Sequence, residues 1–108
     1  MESTSAIAAL EALSNATRLE VFRLLVRAGP AGLAAGDISE RLGVVQNTMS
    51  SHLHKLTSAG IINRRRESRH IIYAVEFGTV RELILFLLED CCAGSAAVCE
   101  PIAESLAC

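Results

Sequence analysis

Four cysteines lie close together near the carboxyl end of this 108-residue chain, and their thiols are its most reactive groups. They are Cys91, Cys92, Cys99 and Cys108. Residues 1–4 contain no basic segment before an apolar core, so we predict no secretory signal and a cytoplasmic protein. In a reducing compartment, a cysteine cluster more often binds a metal or acts in redox chemistry than forms a disulfide framework.

The surroundings of these cysteines favour a trivalent metalloid over zinc. Glu89, Asp90 and the end of a preceding helix all disfavour negative charge on nearby sulfur atoms. Four thiolates around Zn²⁺ would leave a net charge of about −2 here, without a nearby histidine for a mixed site. Arsenite or antimonite exchanges three hydroxides for three thiols and stays neutral, and soft sulfur ligands suit it. We therefore predict that Cys91, Cys92 and Cys99 bind As(III) or Sb(III).

Other uses of these thiols stay open at this point. Cys91 or Cys92 could form a disulfide with Cys99 on oxidation, or another thiophilic metal could bind. Cys108 could be a spare thiol, a fourth ligand or a disulfide partner. An enzyme is not predicted, because no Cys-x-x-Cys motif, phosphate-cradling loop or electropositive cysteine pocket is apparent.

Positive charge is concentrated in one part of an otherwise acidic chain. The whole sequence has 10 Lys and Arg against 12 Asp and Glu, a formal net charge of −2. Residues 46–70 hold five of the cationic residues and a single acidic one, Glu67. Because polyanions respond to the local field rather than to total charge, this stretch is a candidate for binding nucleic acid.

Apolar periodicity divides the chain into five helices and two strands. Two short helices joined by a tight turn at Gly43 are typical of a helix-turn-helix, and a basic hairpin follows them. That combination predicts a winged helix, an α+β and mainly helical fold in the order α-α-α-α-β-β-α. The predicted helices are Ser5–Leu13, Asn15 or Thr17 to Gly29, Ala34–Leu42, Gln46–Ala59 and Gly78–Cys92, and the strands are Ile61–Arg66 and Arg69–Val75.

Two of these helices carry further expectations. Asn15 is a candidate N-cap of the second helix, in competition with a capping box at Thr17-x-x-Glu20. The last helix is apolar on more than one side, which predicts burial against a second subunit. The apolar residues that recur at helical spacing in the second helix are Leu19, Phe22, Leu25 and Val26.

The fourth helix carries short polar side chains where a recognition helix meets base edges in the major groove. Arginines of the hairpin can neutralise phosphates or enter the minor groove. Aromatic residues are too few for the stacking platforms of RNA recognition, so double-stranded DNA is the predicted partner. A protein–protein adaptor that uses this fold as a scaffold is the alternative. The predicted DNA-binding residues are Gln46, Asn47, Thr48, Ser50, Ser51, His52, Lys55, Arg64, Arg65, Arg66 and Arg69.

Three segments of the chain resemble the ArsR/SmtB metalloregulatory repressors. They are Leu-Ser-Asn-Ala-Thr-Arg-Leu at 13–19, Gln-Asn-Thr-Met-Ser-Ser-His-Leu at 46–53, and Ala-Gly-Ile-Ile-Asn-Arg-Arg-Arg-Glu at 59–67. The resemblance spans residues 8–92 and implies a homodimeric repressor that releases DNA when a metal or metalloid binds. Val45 replaces a Ser that often caps the recognition helix, and Ser68 replaces the usual wing Gly, which predicts a strained turn.

The positions of the cysteines separate the branches of this family. At the start of the third helix, where other members have cysteines, this chain has Ala34 and Gly36. The zinc-type site on the last helix needs histidines, and this chain has none beside Glu82. The arrangement Cys91-Cys92…Cys99 resembles the arsenic-responsive branch, whose site lies at the end of the dimerisation helix.

These features together predict a repressor of an arsenic resistance operon. Residues 1–92 would form a winged-helix domain that dimerises through its first and last helices, and residues 93–108 a flexible cysteine-containing tail. Binding of arsenite or antimonite would release the operator. The alternatives are release by oxidation to a disulfide and release by another thiophilic metal.

Overall fold

A computed structural model describes residues 1–89 of the chain. All four cysteines, and with them the predicted boundary between residues 1–92 and 93–108, lie outside the described residues. Within residues 1–89 the predicted winged helix is confirmed, with one additional short strand and a 3₁₀ turn at Gly29–Ala31. The elements are α1 (Ser3–Leu13), α2 (Ala16–Ala28), β1 (Leu33–Ala34), α3 (Ala35–Leu42), α4 (Gln46–Ser58), β2 (Ile62–Glu67), β3 (His70–Val75) and α5 (Phe77–Leu88).

The start of α2 is fixed by a side-chain cap. The Asn15 side-chain oxygen accepts a hydrogen bond from the Arg18 backbone N–H at 3.1 Å. This bond satisfies one of the donors that the first turn of a helix leaves unpaired. Of the two predicted starts, the structure uses Asn15 rather than the Thr17-x-x-Glu20 box.

The inward face of α2 takes in only part of its apolar repeat. Val21, Leu24 and Leu25 are buried, whereas Leu19 and Val26, which belong to the repeat, are exposed. Apolar residues surround more than half of this helix, and the apolar period alone therefore fits two orientations.

The helix-turn-helix is built by α3, α4 and the three residues between them. Gly43 adopts a left-handed conformation after α3, and α4 begins at Gln46. Three residues of α4, Met49, Leu53 and Leu56, are fully buried together with Ile38 of α3. This packing fixes which face of α4 remains exposed.

The wing is an antiparallel sheet in the order β1-β3-β2. Within it, β2 and β3 pair from Ile62↔Val75 to Glu67↔His70, while β1 pairs Leu33 with Tyr73. Ser68 has a φ of +55° at the hairpin turn, which confirms the strain predicted for a non-glycine residue there.

α5 ends at Leu88, four residues before the predicted end at Cys92. The Glu89 N–H bonds to the Phe86 carbonyl at 3.4 Å, a three-residue bond that closes the last turn. Of the residues of α5, only Leu83 is buried. No helix within residues 1–89 is long and apolar enough to cross a membrane.

Candidate DNA-binding surface

The amino-terminal half of α4 forms a polar, exposed face. Its buried residues hold the opposite face in the core, so the polar side chains point outward. Val45 precedes α4 and makes no side-chain cap. The first backbone N–H groups of α4 are therefore open to an anion such as a phosphate. The exposed predicted DNA-binding residues on this half are Gln46, Asn47, Thr48, Ser50 and Ser51.

His52 and Lys55, the other two predicted residues of α4, have different environments. Lys55 is exposed, whereas His52 is half-buried with its Nδ1 3.4 Å from Nη1 of Arg18. Burial of the ring, and then the positive charges of Arg18 and Lys55, lower the pKa of His52 below its ordinary value. The ring is therefore held in its neutral form at neutral pH.

The wing arginines divide between two faces of the hairpin. Side chains alternate along a strand, so Arg64 and Arg66 share one face of β2 and Arg65 lies on the other. Arg64, Arg66 and Arg69 are exposed. Near the tip, Arg66 Nε donates to the Ser68 carbonyl at 3.3 Å, which holds this side chain along the turn.

Arg65 is held within the protein by three contacts. Its Nε lies 2.9 Å from the Glu67 carboxylate, and its two terminal nitrogens donate to the carbonyls of Pro30 at 3.2 Å and Ala31 at 2.7 Å. These bonds join the wing to the 3₁₀ turn. The role was not predicted from the sequence, although strand alternation sets Arg65 apart from its neighbours.

A second unpredicted contact joins the base of the wing to α5. Asn63 Nδ2 donates to the Glu76 carboxylate at 3.1 Å, and the Glu76 N–H donates to the Ile61 carbonyl at 2.9 Å. Because Ile61 directly precedes β2 and Glu76 directly precedes α5, these two bonds connect the start of β2 with the start of that helix.

Apolar side chains are exposed on α1 and on α5. Ile7 of α1 is 55% exposed, and Leu85 and Leu87 of α5 are 59% and 52% exposed. The inward face of α1 is lined only by alanines, so the larger apolar residues of this helix face outward. Exposed apolar surface on two helices is typical of an interface with another protein.

The described residues contain no candidate metal centre. Within residues 1–89, no group of three or more His, Cys, Asp or Glu side chains could hold a metal ion. The predicted ligands Cys91, Cys92 and Cys99 lie beyond this range.

Residues 13–65, which include the helix-turn-helix and most of β2, match a family model described as a helix-turn-helix domain. The transcriptional activator HlyU of Vibrio cholerae is 31% identical over 85 residues, covering 79% of this chain and 76% of HlyU. The match with the solved structure of reduced HlyU has a TM-score of 0.65 and 30% identity. It covers 83% of this chain and 92% of the HlyU chain. This chain belongs to the ArsR/HlyU-type winged-helix transcriptional regulators.

Two further relatives show the range of this family. A putative arsenical resistance operon repressor, ArsR2 of Halobacterium salinarum, is 33% identical over 81 residues, covering 75% of this chain and 66% of that protein. The homodimeric winged helix of Mb0332 from Mycobacterium bovis, a possible ArsR-family regulator, has a TM-score of 0.66 at 26% identity. This match covers 79% of this chain and 77% of the Mb0332 chain. These relatives are transcriptional regulators rather than enzymes.

Proposed function

We propose that this regulator is a homodimeric repressor that binds operator DNA through α4 and the wing, and that thiol binding of arsenite or antimonite releases it. The observation that carries the DNA-binding step is the exposed polar half of α4 beside exposed arginines in a chain of net charge −2. Repression, rather than activation, follows the resemblance to the ArsR/SmtB repressors and is part of the proposal.

The DNA-binding step assigns two kinds of contact. Gln46, Asn47, Thr48, Ser50 and Ser51 are short hydrogen-bonding side chains suited to base edges in the major groove. Lys55 and the exposed wing arginines would bind phosphates and set the register of the protein on the duplex. Arg65 is assigned a different role, because each of its three side-chain nitrogens already bonds to Glu67 or to a backbone carbonyl.

A prediction on the wing follows from this division of roles. Arg64→Ala or Arg66→Ala should weaken DNA binding about 3- to 10-fold on any sequence and reduce the slope of log affinity against log salt by about 1. Arg65→Ala should leave that slope nearer the wild-type value and lower the free energy of unfolding by about 1 kcal/mol. Fluorescence anisotropy at several salt concentrations and thermal unfolding would measure both. Equal salt slopes for the Arg64 and Arg65 variants would contradict the assignment.

The dimer would form through α1 and α5. Their exposed side chains Ile7, Leu85 and Leu87 would be covered by the same surface of a second copy, as a two-fold symmetric interface requires. Two copies of α4 would then contact two half-sites of a palindromic operator, spaced by one helical turn of DNA.

Release by arsenite rests on the placement of α5 and on the chemistry of thiols. This helix begins at Phe77, directly after Glu76 at the base of the wing, and ends at Leu88, three residues before Cys91. A change at the cysteine segment would therefore act on the helix that forms the dimer surface. Three soft thiols, from Cys91, Cys92 and Cys99, are the ligand set that a trivalent arsenic or antimony centre prefers.

The test is fluorescence anisotropy on DNA from upstream of the gene for this protein, in reducing buffer at fixed salt. We expect arsenite to weaken binding by wild type about 5- to 150-fold, the range of a typical allosteric coupling. Cys99→Ser should bind DNA and remain bound in arsenite. Cys108→Ser is the matched control: it removes a thiol outside the predicted three and should respond like wild type. Equal responses of the two variants would contradict the assignment of Cys99.

Oxidation is the second candidate signal, since the solved structure of the relative HlyU is of its reduced form. In the same assay without arsenite and without reductant, mild peroxide would release wild type through a disulfide between Cys99 and Cys91 or Cys92. Release by peroxide but not by arsenite would replace the arsenic proposal with this one. A failure of wild type to bind DNA at all would overturn the DNA-binding step itself.

A further inference from the structure

The side chain of Arg18 joins three helices. Its Nε donates to the Ala12 carbonyl in the last turn of α1 at 2.6 Å, and its Nη1 lies 3.4 Å from Nδ1 of His52 in α4. Its own backbone N–H is held by the Asn15 cap at the start of α2. Arg18 and His52 are both half-buried. One guanidinium therefore bridges the end of α1 and the middle of the proposed recognition helix.

The chemistry of the two side chains fixes the roles of their atoms. An arginine side chain has donors and no acceptor, so Nδ1 of His52 must accept and the ring proton must be on Nε2. A second proton on this ring would sit at Nδ1 and face the guanidinium. The hydrogen bond would then be lost and two like charges would meet at this contact.

We propose that Arg18 is a positioning residue for operator binding: together with neutral His52 it fixes the angle between α4 and α1. This inference rests on the proposed function, in which α1 contributes to the dimer surface and α4 contacts DNA. In a two-fold symmetric dimer, the angle of α4 relative to the dimer surface sets the distance between the two recognition helices. Arg18 thus controls how well that distance matches successive major grooves.

The same contact makes operator binding sensitive to acid. Two cationic groups act on the His52 ring, Arg18 of α2 and Lys55 of α4. Both line a surface cleft that is also lined by Glu11 of α1, which carries a carboxylate. With the pKa of His52 lowered below 6.5 in the folded protein, the neutral ring and the Arg18 bond predominate at pH 7 and above. The link is lost as the pH falls through this lowered pKa.

The test compares variants on the same DNA at pH 7.5. Arg18→Met keeps the aliphatic stem and removes both side-chain bonds, and we expect a 10- to 100-fold loss of affinity. Arg23→Met is the matched control, because Arg23 is an exposed arginine of the same helix, and it should stay within about 3-fold of wild type. His52→Asn, which keeps an acceptor near the position of Nδ1, should bind more tightly than His52→Leu.

The pH profile separates positioning from general packing. Other histidines also gain positive charge as the pH falls, and this affects both proteins alike. The informative quantity is therefore the DNA affinity of wild type divided by that of His52→Asn, measured at pH 8 and again at pH 5.5. We expect wild type to lose affinity relative to His52→Asn, which has no ring to protonate. Equal profiles for the two proteins, or equal affinities of Arg18→Met and Arg23→Met, would overturn the inference.

A measurement without DNA distinguishes this inference from the proposed function. Nitrogen NMR of the free protein should find His52 unprotonated at Nδ1 and protonated at Nε2, with slower hydrogen exchange in α4 of wild type than of Arg18→Met. If wild type fails to bind DNA, the proposed function falls while this signature still supports the link. Protonation at Nδ1, or identical exchange in the two proteins, would overturn the link even if DNA binds.

Discussion

Leu85→Glu is expected to convert the dimer into a monomer and to weaken operator binding by about 100-fold or more. Leu85 is 59% exposed on α5 and lies in the surface that we assign to the second copy. A carboxylate there would lose its water on association, and two-fold symmetry would place two such charges in one interface. Each monomer would then contact a single half-site and lose the avidity of the pair, a factor of about 10² to 10⁴.

Sedimentation velocity would measure the loss of the dimer, and anisotropy on a full operator and on a half-site would measure the loss of avidity. Val26→Glu is the control, because Val26 is a 42% exposed apolar residue of α2 outside the proposed interface. It should remain dimeric and bind as wild type does. A dimeric Leu85→Glu protein, or equal losses in the two variants, would contradict the assignment of α5.

The elements predicted correctly from the sequence are those with local signals. Asn15 begins α2 through a bond to a residue three positions on, and Gly43 ends α3 in a left-handed conformation that glycine adopts readily. The hairpin forms between neighbouring strands with a turn at Ser68. In each case the interaction that decides the structure lies within a few residues of the chain.

Structure decided by distant contacts was not predicted. β1 has two residues, and it is a strand only because Leu33 pairs with Tyr73, 40 positions away. The orientation of α2 is similar: both Leu19 and Val21 fit an apolar face, and packing against the rest of the fold buries Val21. Periodicity alone carries no information on which neighbour a helix meets.

The candidate site follows the same rule. The polar face of α4 follows from helical spacing, because Met49, Leu53 and Leu56 occupy the core face. Arg65 bonds to the carbonyls of Pro30 and Ala31 in the 3₁₀ turn, 35 and 34 positions away along the chain. Arg18 contacts His52, which is also 34 positions away. The separate roles of the two arginines therefore depend on contacts between distant parts of the chain. Charge clustering identified the wing, but it could not distinguish a phosphate-binding arginine from one that holds the wing in place.

Gly32→Ala is expected to lower the free energy of unfolding by about 2–4 kcal/mol, and the midpoint of thermal unfolding by ~10–20 °C. Gly32 has a φ of +67°, and a Cβ there would overlap the carbonyl oxygen of Tyr73 and lie 2.9 Å from Cγ2 of Ile72. The obstacle is backbone of β3, the central strand, so relief requires separating β1 from β3. Thermal and denaturant unfolding would measure the loss.

Two other glycines separate the causes of this loss. Gly29 combines a φ of +71° with a ψ of −161°, a conformation that essentially only glycine adopts, and has open space at its Cβ position. Gly29→Ala should therefore lower the free energy of unfolding by about 1–3 kcal/mol through backbone strain alone. Gly36 lies in α3 without a positive φ and with open space at its Cβ position. Gly36→Ala should therefore raise the free energy of unfolding by ~0.5 kcal/mol. If Gly32→Ala lost no more than Gly29→Ala, the close approach to β3 would be irrelevant to stability.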